Sequence, residues 1–134
     1  MKNILKTHHR GISSFFLIVL ATITLTRIWS VSLFYIFGNN SEFTQKIVSD
    51  SLHHYQVGLL LLPTSYLLRK ILKPRFLSGI GLGIFLEEWP VFLSDIGFNT
   101  NGYYHTKFDF ILILGLVGLV YILFLAITKK QKYD

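Results

Sequence analysis

Long apolar stretches with basic residues at their ends constrain this chain more than any other feature of its sequence. The first stretch runs from Gly11 to Phe37, which exceeds the roughly 20 residues that an α-helix needs to cross a bilayer. Inside hydrocarbon the backbone must satisfy its own hydrogen bonds, so a helix is the structure open to such a segment. The sequence therefore predicts an all-α integral membrane protein.

Hydropathy and turn signals divide the chain into four predicted spans. We expect them at about 12–37, 52–72, 76–97 and 108–128, since apolar runs of this length are separated by Gly, Pro and polar residues. The chain has 134 residues, of which 51% are hydrophobic, so we expect a single transmembrane domain over 1–134. The predicted architecture is a four-helix membrane bundle.

The basic residues outside the predicted spans predict the orientation of the chain. The two termini and the second loop hold most of them: Lys2, Lys6, Arg10, Arg69, Lys70, Lys73, Arg75, Lys129, Lys130 and Lys132. The other two loops hold only Lys46 and Lys107. Basic residues are enriched in cytoplasmic loops. Both termini are therefore predicted to be cytoplasmic, in the inner (plasma) membrane of a prokaryote.

Composition excludes several functions. The chain has no cysteine, which rules out disulfides, cysteine zinc sites and thiol catalysis. The net charge of +6 could indicate nucleic-acid binding. Topology explains the basic residues better, because they lie at the ends of apolar runs. We therefore expect the lipid bilayer as the partner, and no nucleic acid.

A small set of ionisable residues falls within or at the ends of the predicted spans. Such residues cost roughly 2.5–3.5 kcal/mol each at a helix centre, so they mark pairs, wet cavities or chemistry. The set comprises Arg27, His53, His54, Glu87, Glu88, Asp95 and Asp109. With the predicted orientation, Glu87 and Glu88 fall near the midplane of the membrane and the others fall in its exoplasmic half. This placement predicts a water-accessible pocket that opens to the exoplasmic side.

Histidine and carboxylate side chains in this set could hold a metal. His53 or His54, with Glu88 and Asp109, would form a nitrogen and oxygen site for a divalent metal such as zinc. Adjacent helical residues point about 100° apart, so both histidines rarely bind one ion within a regular helix. The alternative is that the histidines cap a helix at the membrane interface.

The pair Glu87-Glu88 allows three interpretations. The two side chains could serve as general acid and base, with Arg27 orienting a carboxylate or holding an anionic group. They could carry protons or cations in a transporter. One of them could form a buried ion pair with Arg27. A single arginine satisfies only one glutamate, so the other needs a histidine, a metal or a substrate cation.

Glycine spacing predicts how the third span packs. Gly79, Gly83 and Glu87 are four residues apart and share a helix face, which allows close approach of a neighbouring helix. Gly81 and Glu88 are seven residues apart, on a second face. Pro90 cannot donate a backbone hydrogen bond, so it frees a carbonyl beside the glutamates.

Two strings in the middle of the chain resemble those of a group of small prokaryotic membrane proteins of four helices. These strings are His53-His54-Tyr55-x-x-Gly58 and Gly79-x-Gly81-x-Gly83-x-x-x-Glu87-Glu88. In that uncharacterised group an HHYxxG segment precedes a glycine-rich helix that ends in an acidic pair. The resemblance covers roughly residues 52–89. It implies no activity, only that these residues belong to one site.

The sequence favours a small membrane protein with an exoplasm-facing intramembrane polar site that binds or acts on a lipid or another amphiphile. In a metal-assisted version His53 and His54 ligate the ion or shuttle protons, and Glu87 or Glu88 is a ligand or base. One alternative is a proton- or cation-coupled transporter that works as a homo-oligomer. Another is a structural or accessory subunit with a buried Arg–Glu network.

Overall fold

Every regular element in the described part of the chain is helical. The computed structural model describes residues 2–38, 41–42, 45–46, 53–71, 73–100 and 106–130. The helices are α1 (Lys2–Phe37), α2 (His54–Leu67), α3 (Pro74–Glu87), α4 (Trp89–Asp95) and α5 (Lys107–Lys130). The prediction of an all-α protein is therefore confirmed for these residues.

The first and last helices are long and apolar enough to cross a membrane. In α1 the segment Gly11–Phe37 has 27 residues and contains an 18-residue window with a mean hydropathy of 1.8. In α5 the segment Lys107–Ile127 has 21 residues and contains an 18-residue window with a mean hydropathy of 3.0. Both agree closely with the predicted spans 12–37 and 108–128. These helices are consistent with a membrane protein.

The second helix is shorter than the predicted span 52–72. α2 contains 14 residues and ends at Leu67, and the chain continues through hydrogen-bonded turns up to Ile71. At about 1.5 Å per residue α2 is about 21 Å long, against roughly 30 Å for the hydrocarbon core of a bilayer. Pro63 lies within the helix without ending it.

The predicted third span is bent in the middle. α3 and α4 meet at Glu88 with an angle of 63° between them, and only if this bent pair counts as one span does the described chain have a third candidate. Pro90 is in the first turn of α4, where its missing N–H costs no helical hydrogen bond. The glutamate pair therefore lies at a break between two helices.

Glycines bring α3 close to both of its main neighbours. A methyl group on Gly79 would meet Ile18 of α1, and one on Gly83 would meet Thr22 of α1. These contacts agree with the predicted face that ends in Glu87. Residue numbers rise together on α1 and α3 along this contact, so the two helices run parallel.

The second glycine face of α3 lies against α2. A methyl group on Gly81 would come within 2.9 Å of the Gly58 carbonyl oxygen, and one on Gly58 within 2.7 Å of the Gly81 carbonyl oxygen. Backbones at this distance leave no room for a side chain at Gly58 or at Gly81. Tyr55 of α2 contacts Glu88, so α2 runs antiparallel to α3.

The fourth long helix, α5, packs mainly on α1. Their shared core consists of Val19, Ile23, Ile113 and Val117. The Tyr121 hydroxyl lies 3.0 Å from the Ser13 hydroxyl near one end of the pair, and Arg27 contacts Asp109 near the other. α5 is therefore antiparallel to α1. We call the end of the molecule with Arg27 and Asp109 the polar end, and the opposite end, with Gly11 and Pro74, the basic end.

Candidate functional site

Three helices meet at a buried ion-pair network, which we call the buried triad: Arg27 of α1, Glu87 of α3 and Asp109 of α5. Arg27 Nη2 donates a hydrogen bond of 2.9 Å to Asp109 Oδ2. Arg27 Nε lies 2.9 Å from Glu87 Oε1. Glu87 is 0% exposed, and Arg27 and Asp109 are 7% and 6% exposed. One guanidinium therefore serves two buried carboxylates.

The contact between Arg27 and Glu87 differs from that with Asp109. The Arg27 Nε–H group is not aimed at Glu87 Oε1, so this contact is an ion pair without a hydrogen bond. Among the described residues, no donor makes a hydrogen bond to either oxygen of Glu87. The Arg27 guanidinium also lies 5.5 Å from the centre of the Phe110 ring, which adds a cation–π contact.

A local cap positions Asp109 for this network. The Asp109 N–H donates a 3.0 Å hydrogen bond to the Thr106 hydroxyl oxygen at the start of α5. Threonine before the first turn of a helix satisfies one of its open N–H groups, and an acidic residue in that turn suits the helix dipole. The start of α5 thus holds its carboxylate beside Arg27.

Glu88 has a different environment, although it adjoins Glu87. Its Oε2 accepts a 2.9 Å hydrogen bond from the backbone N–H of Tyr55, in the first turn of α2. His53 precedes that helix and makes no side-chain capping bond. A carboxylate at a helix N-terminus satisfies an open N–H group and complements the dipole. Glu88, at the break between α3 and α4, therefore caps the N-terminus of α2 although it is 33 residues away in sequence.

Histidine side chains flank this capping contact. His54 Nδ1 lies 3.7 Å from Glu88 Oε1. His53 Nε2 lies 4.0 Å from Asp95 Oδ2 of α4, and the Tyr55 hydroxyl donates a 2.6 Å hydrogen bond to the same Asp95 oxygen. The rings of His53 and Tyr55 stack with centres 5.8 Å apart. We call these residues the mouth cluster: His53, His54, Tyr55, Glu88 and Asp95.

The mouth cluster is partly exposed to solvent, whereas the buried triad is not. The side chains of His53, His54 and Asp95 are 34%, 47% and 40% exposed, whereas that of Glu88 is 9% exposed. The cluster therefore has a buried capping carboxylate at its base and imidazole and carboxylate groups at its surface. Solvent or a ligand can reach this surface, unlike the triad.

The predicted site residues divide between these two groups. Arg27 pairs with Glu87 and not with Glu88, a choice that the sequence left open. Of the predicted metal ligands, His54 lies beside Glu88, but His53 lies beside Asp95 and Asp109 is bonded to Arg27. Within the described ranges no three His, Asp or Glu side chains are placed to hold one metal ion. Metal binding stays a prediction.

Tyr55 was not among the predicted site residues, although it connects α2 to both Glu88 and Asp95. One signal could have identified it: a tyrosine within a predicted span needs a hydrogen-bond acceptor for its hydroxyl. Asp95, which the sequence predicts in the exoplasmic half of the membrane, lies at the polar end beside His53 and Tyr55. Tyr103, Tyr104 and His105, in the loop before α5, are predicted from the sequence to close the mouth of the pocket, and they lie outside the described residues.

The chain matches no protein-family model, no curated protein and no solved structure. The buried triad and the mouth cluster are therefore the basis for its chemistry. The described carboxylates at the polar end are Glu87, Glu88, Asp95 and Asp109. The basic groups that accompany them in the helices are Arg27 and the exposed Lys107, and the loop after α1 adds one acid, Glu42, and one base, Lys46. With neutral imidazoles the excess charge is negative, which favours a cationic ligand.

Proposed function

We propose that the chain is an integral membrane protein of four spans, α1, α2, α3–α4 and α5, in the inner membrane of a prokaryote. Both termini and the basic end face the cytoplasm, and the polar end faces the exoplasm. The alternating directions of the four units support this proposal. The excess of Lys and Arg in the termini and in the loop before α3 supports the orientation.

We propose further that the mouth cluster binds the headgroup of a lipid or another amphiphile that carries an ammonium group. The observation that carries this proposal is the set of half-exposed side chains of His53, His54 and Asp95 above the buried Glu88. An ammonium group donates hydrogen bonds to carboxylates, and such charge-assisted bonds are strong. Asp95 is the first partner that an incoming ammonium would meet.

Apolar residues beside the mouth favour an amphiphile over a small soluble cation. Ile96 and Phe98 follow Asp95 and are 54% and 62% exposed, and Trp89 at the start of α4 is 38% exposed. Tryptophan and other aromatic residues concentrate where a membrane protein meets the headgroup layer. A ligand with a charged head and an apolar chain would satisfy both surfaces.

The pairing of His54 with Glu88 is the part of the site that could do chemistry. The Nδ1 atom of His54 faces the Glu88 carboxylate, so the Nε2 atom of the same ring is left to face a ligand. A carboxylate that orients an imidazole is a common arrangement for general acid–base catalysis and for metal ligation. A metal-assisted reaction would use these two side chains, with Asp95 and His53 on the ligand side.

The transporter alternative has less support. Inward from the triad, α1 and α5 pack through Val19, Ile23, Ile113 and Val117, which offer no group that carries a proton or cation. The structural alternative agrees with the buried triad but does not account for exposed imidazoles beside Asp95. The resemblance of the two strings to those of small uncharacterised membrane proteins also favours a site, since Glu88 of one string caps the helix that carries the other.

Cysteine accessibility tests the orientation, because the chain has no native cysteine. Ser41→Cys lies in the loop after α1, and Lys70→Cys in the loop after α2. In spheroplasts of a bacterial host we expect a membrane-impermeant maleimide to label Ser41→Cys at once and Lys70→Cys only after permeabilisation. The reverse pattern would overturn the orientation.

Native mass spectrometry of detergent-purified protein tests the binding proposal. Phosphatidylethanolamine and phosphatidylcholine of equal chain length are offered in turn. We expect phosphatidylethanolamine to bind better than phosphatidylcholine, whose quaternary ammonium donates no hydrogen bond. Asp95→Asn should weaken phosphatidylethanolamine binding about tenfold, equivalent to about 1.4 kcal/mol. Glu42→Gln, an exposed acid-to-amide change after α1, is the matched control. Equal binding by both variants would contradict the proposal.

Elemental analysis of the same preparations tests the metal-assisted version. The metal contents of wild type, His54→Ala and Glu88→Ala are compared by inductively coupled plasma mass spectrometry. Near-stoichiometric zinc or another divalent metal in wild type, absent from both variants, would assign the negative mouth to a metal ion. If folded wild type contains no metal, the ammonium group of the ligand remains the proposed cation at the mouth cluster.

A further inference from the structure

A cavity lies at the basic end, far from the polar site. It has a volume of about 510 Å³ and lies between the start of the apolar part of α1 and the start of α3. Gly11 and Ser14 contribute from α1, and Lys73 and Arg75 from the segment that begins α3. At about 1.5 Å per residue along α1, Gly11 is about 24 Å from Arg27. The cavity therefore belongs to neither the buried triad nor the mouth cluster.

Cationic groups dominate the polar part of this cavity. The Arg75 guanidinium lies directly against α1, and a methyl group on Gly11 would collide with it. Among the described residues, no carboxylate lies within ion-pair distance of Lys73 or Arg75. Two basic side chains without an acidic partner attract an anion, and guanidinium and ammonium groups both suit phosphate oxygens.

The remaining wall of the cavity is apolar. Ile18 of α1 and Phe76 of α3 line it together with Pro74. Phe76 is 56% exposed, and Leu17 beside Ile18 is 66% exposed, so the apolar wall continues onto the outer surface of the helices. A cavity of a few hundred Å³ with a charged rim and an apolar wall fits part of an amphiphile better than a free inorganic anion.

We propose that this cavity binds an anionic phospholipid, with Lys73 and Arg75 at its phosphate and the start of an acyl chain along Ile18 and Phe76. Basic pockets between membrane helices on the cytoplasmic side bind anionic headgroups. Assignment to the cytoplasmic leaflet rests on the proposed orientation, whereas binding itself does not. Gly11 is essential to the site, because it leaves space for the Arg75 guanidinium beside α1.

Native mass spectrometry of delipidated protein in detergent tests this proposal with phosphatidylglycerol as the probe. We expect Lys73→Gln and Arg75→Gln each to weaken its binding about fivefold, and the double variant about twenty-five-fold. Arg69→Gln is the matched control. Arg69 lies in the same loop, but its guanidinium is stacked 4.4 Å from the centre of the Tyr66 ring and does not line the cavity. An equal loss of phosphatidylglycerol binding in Arg69→Gln would overturn the proposal, since it would show that the lipid is attracted to the charge of the whole loop and not to the cavity.

A variant that fills the cavity and a soluble competitor of the lipid test the same proposal without removing a charge. Gly11→Leu keeps both cations but fills the cavity, and we expect it to weaken phosphatidylglycerol binding at least as much as Arg75→Gln, with unchanged thermal unfolding. Glycerol phosphate at millimolar concentration should displace little lipid. Full displacement at equal affinity would overturn the lipid assignment in favour of a soluble phosphate. Failure of the cysteine test would change the leaflet and leave these results intact.

Discussion

Glu87 and Glu88 are neighbours in sequence, yet they belong to regions with opposite relations to solvent. Glu87 is fully buried in the triad with Arg27 and Asp109. Glu88 is at the base of the mouth cluster, whose outer side chains are a third to a half exposed. Adjacent positions at a helix end point about 100° apart, so each carboxylate meets a different neighbour. We expect the triad to hold helices together and the mouth cluster to meet a ligand.

Replacing Arg27 by methionine should have the largest effect on stability, because it removes the cation of the buried triad. The substitution leaves two buried carboxylates without their cation, and breaking a buried pair by removing one partner costs about 3–5 kcal/mol. We expect a large loss of folded protein, measured by reversible unfolding in mixed micelles. Headgroup binding should fail only because the protein unfolds.

A triple variant separates charge imbalance from lost packing. Arg27→Met with Glu87→Gln and Asp109→Asn has no unpaired charge in the triad, so we expect it to recover most of the lost stability. Phosphatidylethanolamine binding should recover with it, because the mouth cluster is intact. Recovered folding without recovered binding would mean that the triad takes part in ligand recognition.

Substitution of Gly81 by alanine should have the next largest effect. The added methyl group would be within 2.9 Å of the Gly58 carbonyl oxygen and of the Leu61 side chain. Forcing extra atoms into a packed contact costs about 1–3 kcal/mol. Gly118→Ala is the matched control, because nothing lies within 4 Å of a methyl group there. Equal unfolding of the two variants in mixed micelles would contradict the close approach of α2 and α3.

Replacing Glu88 by alanine should have a moderate effect, since it removes the cap from α2. Loss of an N-terminal cap costs about 0.5–2 kcal/mol. Glu88→Gln keeps an oxygen that accepts the Tyr55 N–H and should restore most of this stability. Hydrogen exchange of the first amides of α2 would report the change locally. Similar exchange in alanine and glutamine variants would mean that Glu88 does not cap the helix.

His54→Gln should have the smallest effect on stability and a clear effect on binding. The His54 side chain is 47% exposed, and surface substitutions usually change stability by less than about 0.5 kcal/mol. We expect unchanged unfolding and weaker phosphatidylethanolamine binding in the same preparation. A loss of stability without a loss of binding would assign the mouth cluster a structural role.

Residue type and helical period predicted much of the fold and part of the site. The apolar segments Gly11–Phe37 of α1 and Lys107–Ile127 of α5 follow from composition, although α1 itself begins at Lys2. The glycine faces of α3 follow from spacing by four and by seven. Pro90 indicated a weakened helix near the glutamates but not the 63° bend. α4 contacts α2 through Asp95 and Tyr55, a tertiary contact that no local pattern contains. The early end of α2 at Leu67 was likewise not predicted.

By itself, the sequence determined which segments are helical and apolar and which polar residues share one end of the molecule, because these depend on residue type and distance along the chain. Only the tertiary structure decided that Arg27 joins Glu87 and Asp109, and that Glu88 instead caps α2 at Tyr55. Pairing between helices depends on their rotation and axial offset. Close glycine contacts with two different neighbours determine both quantities for α3.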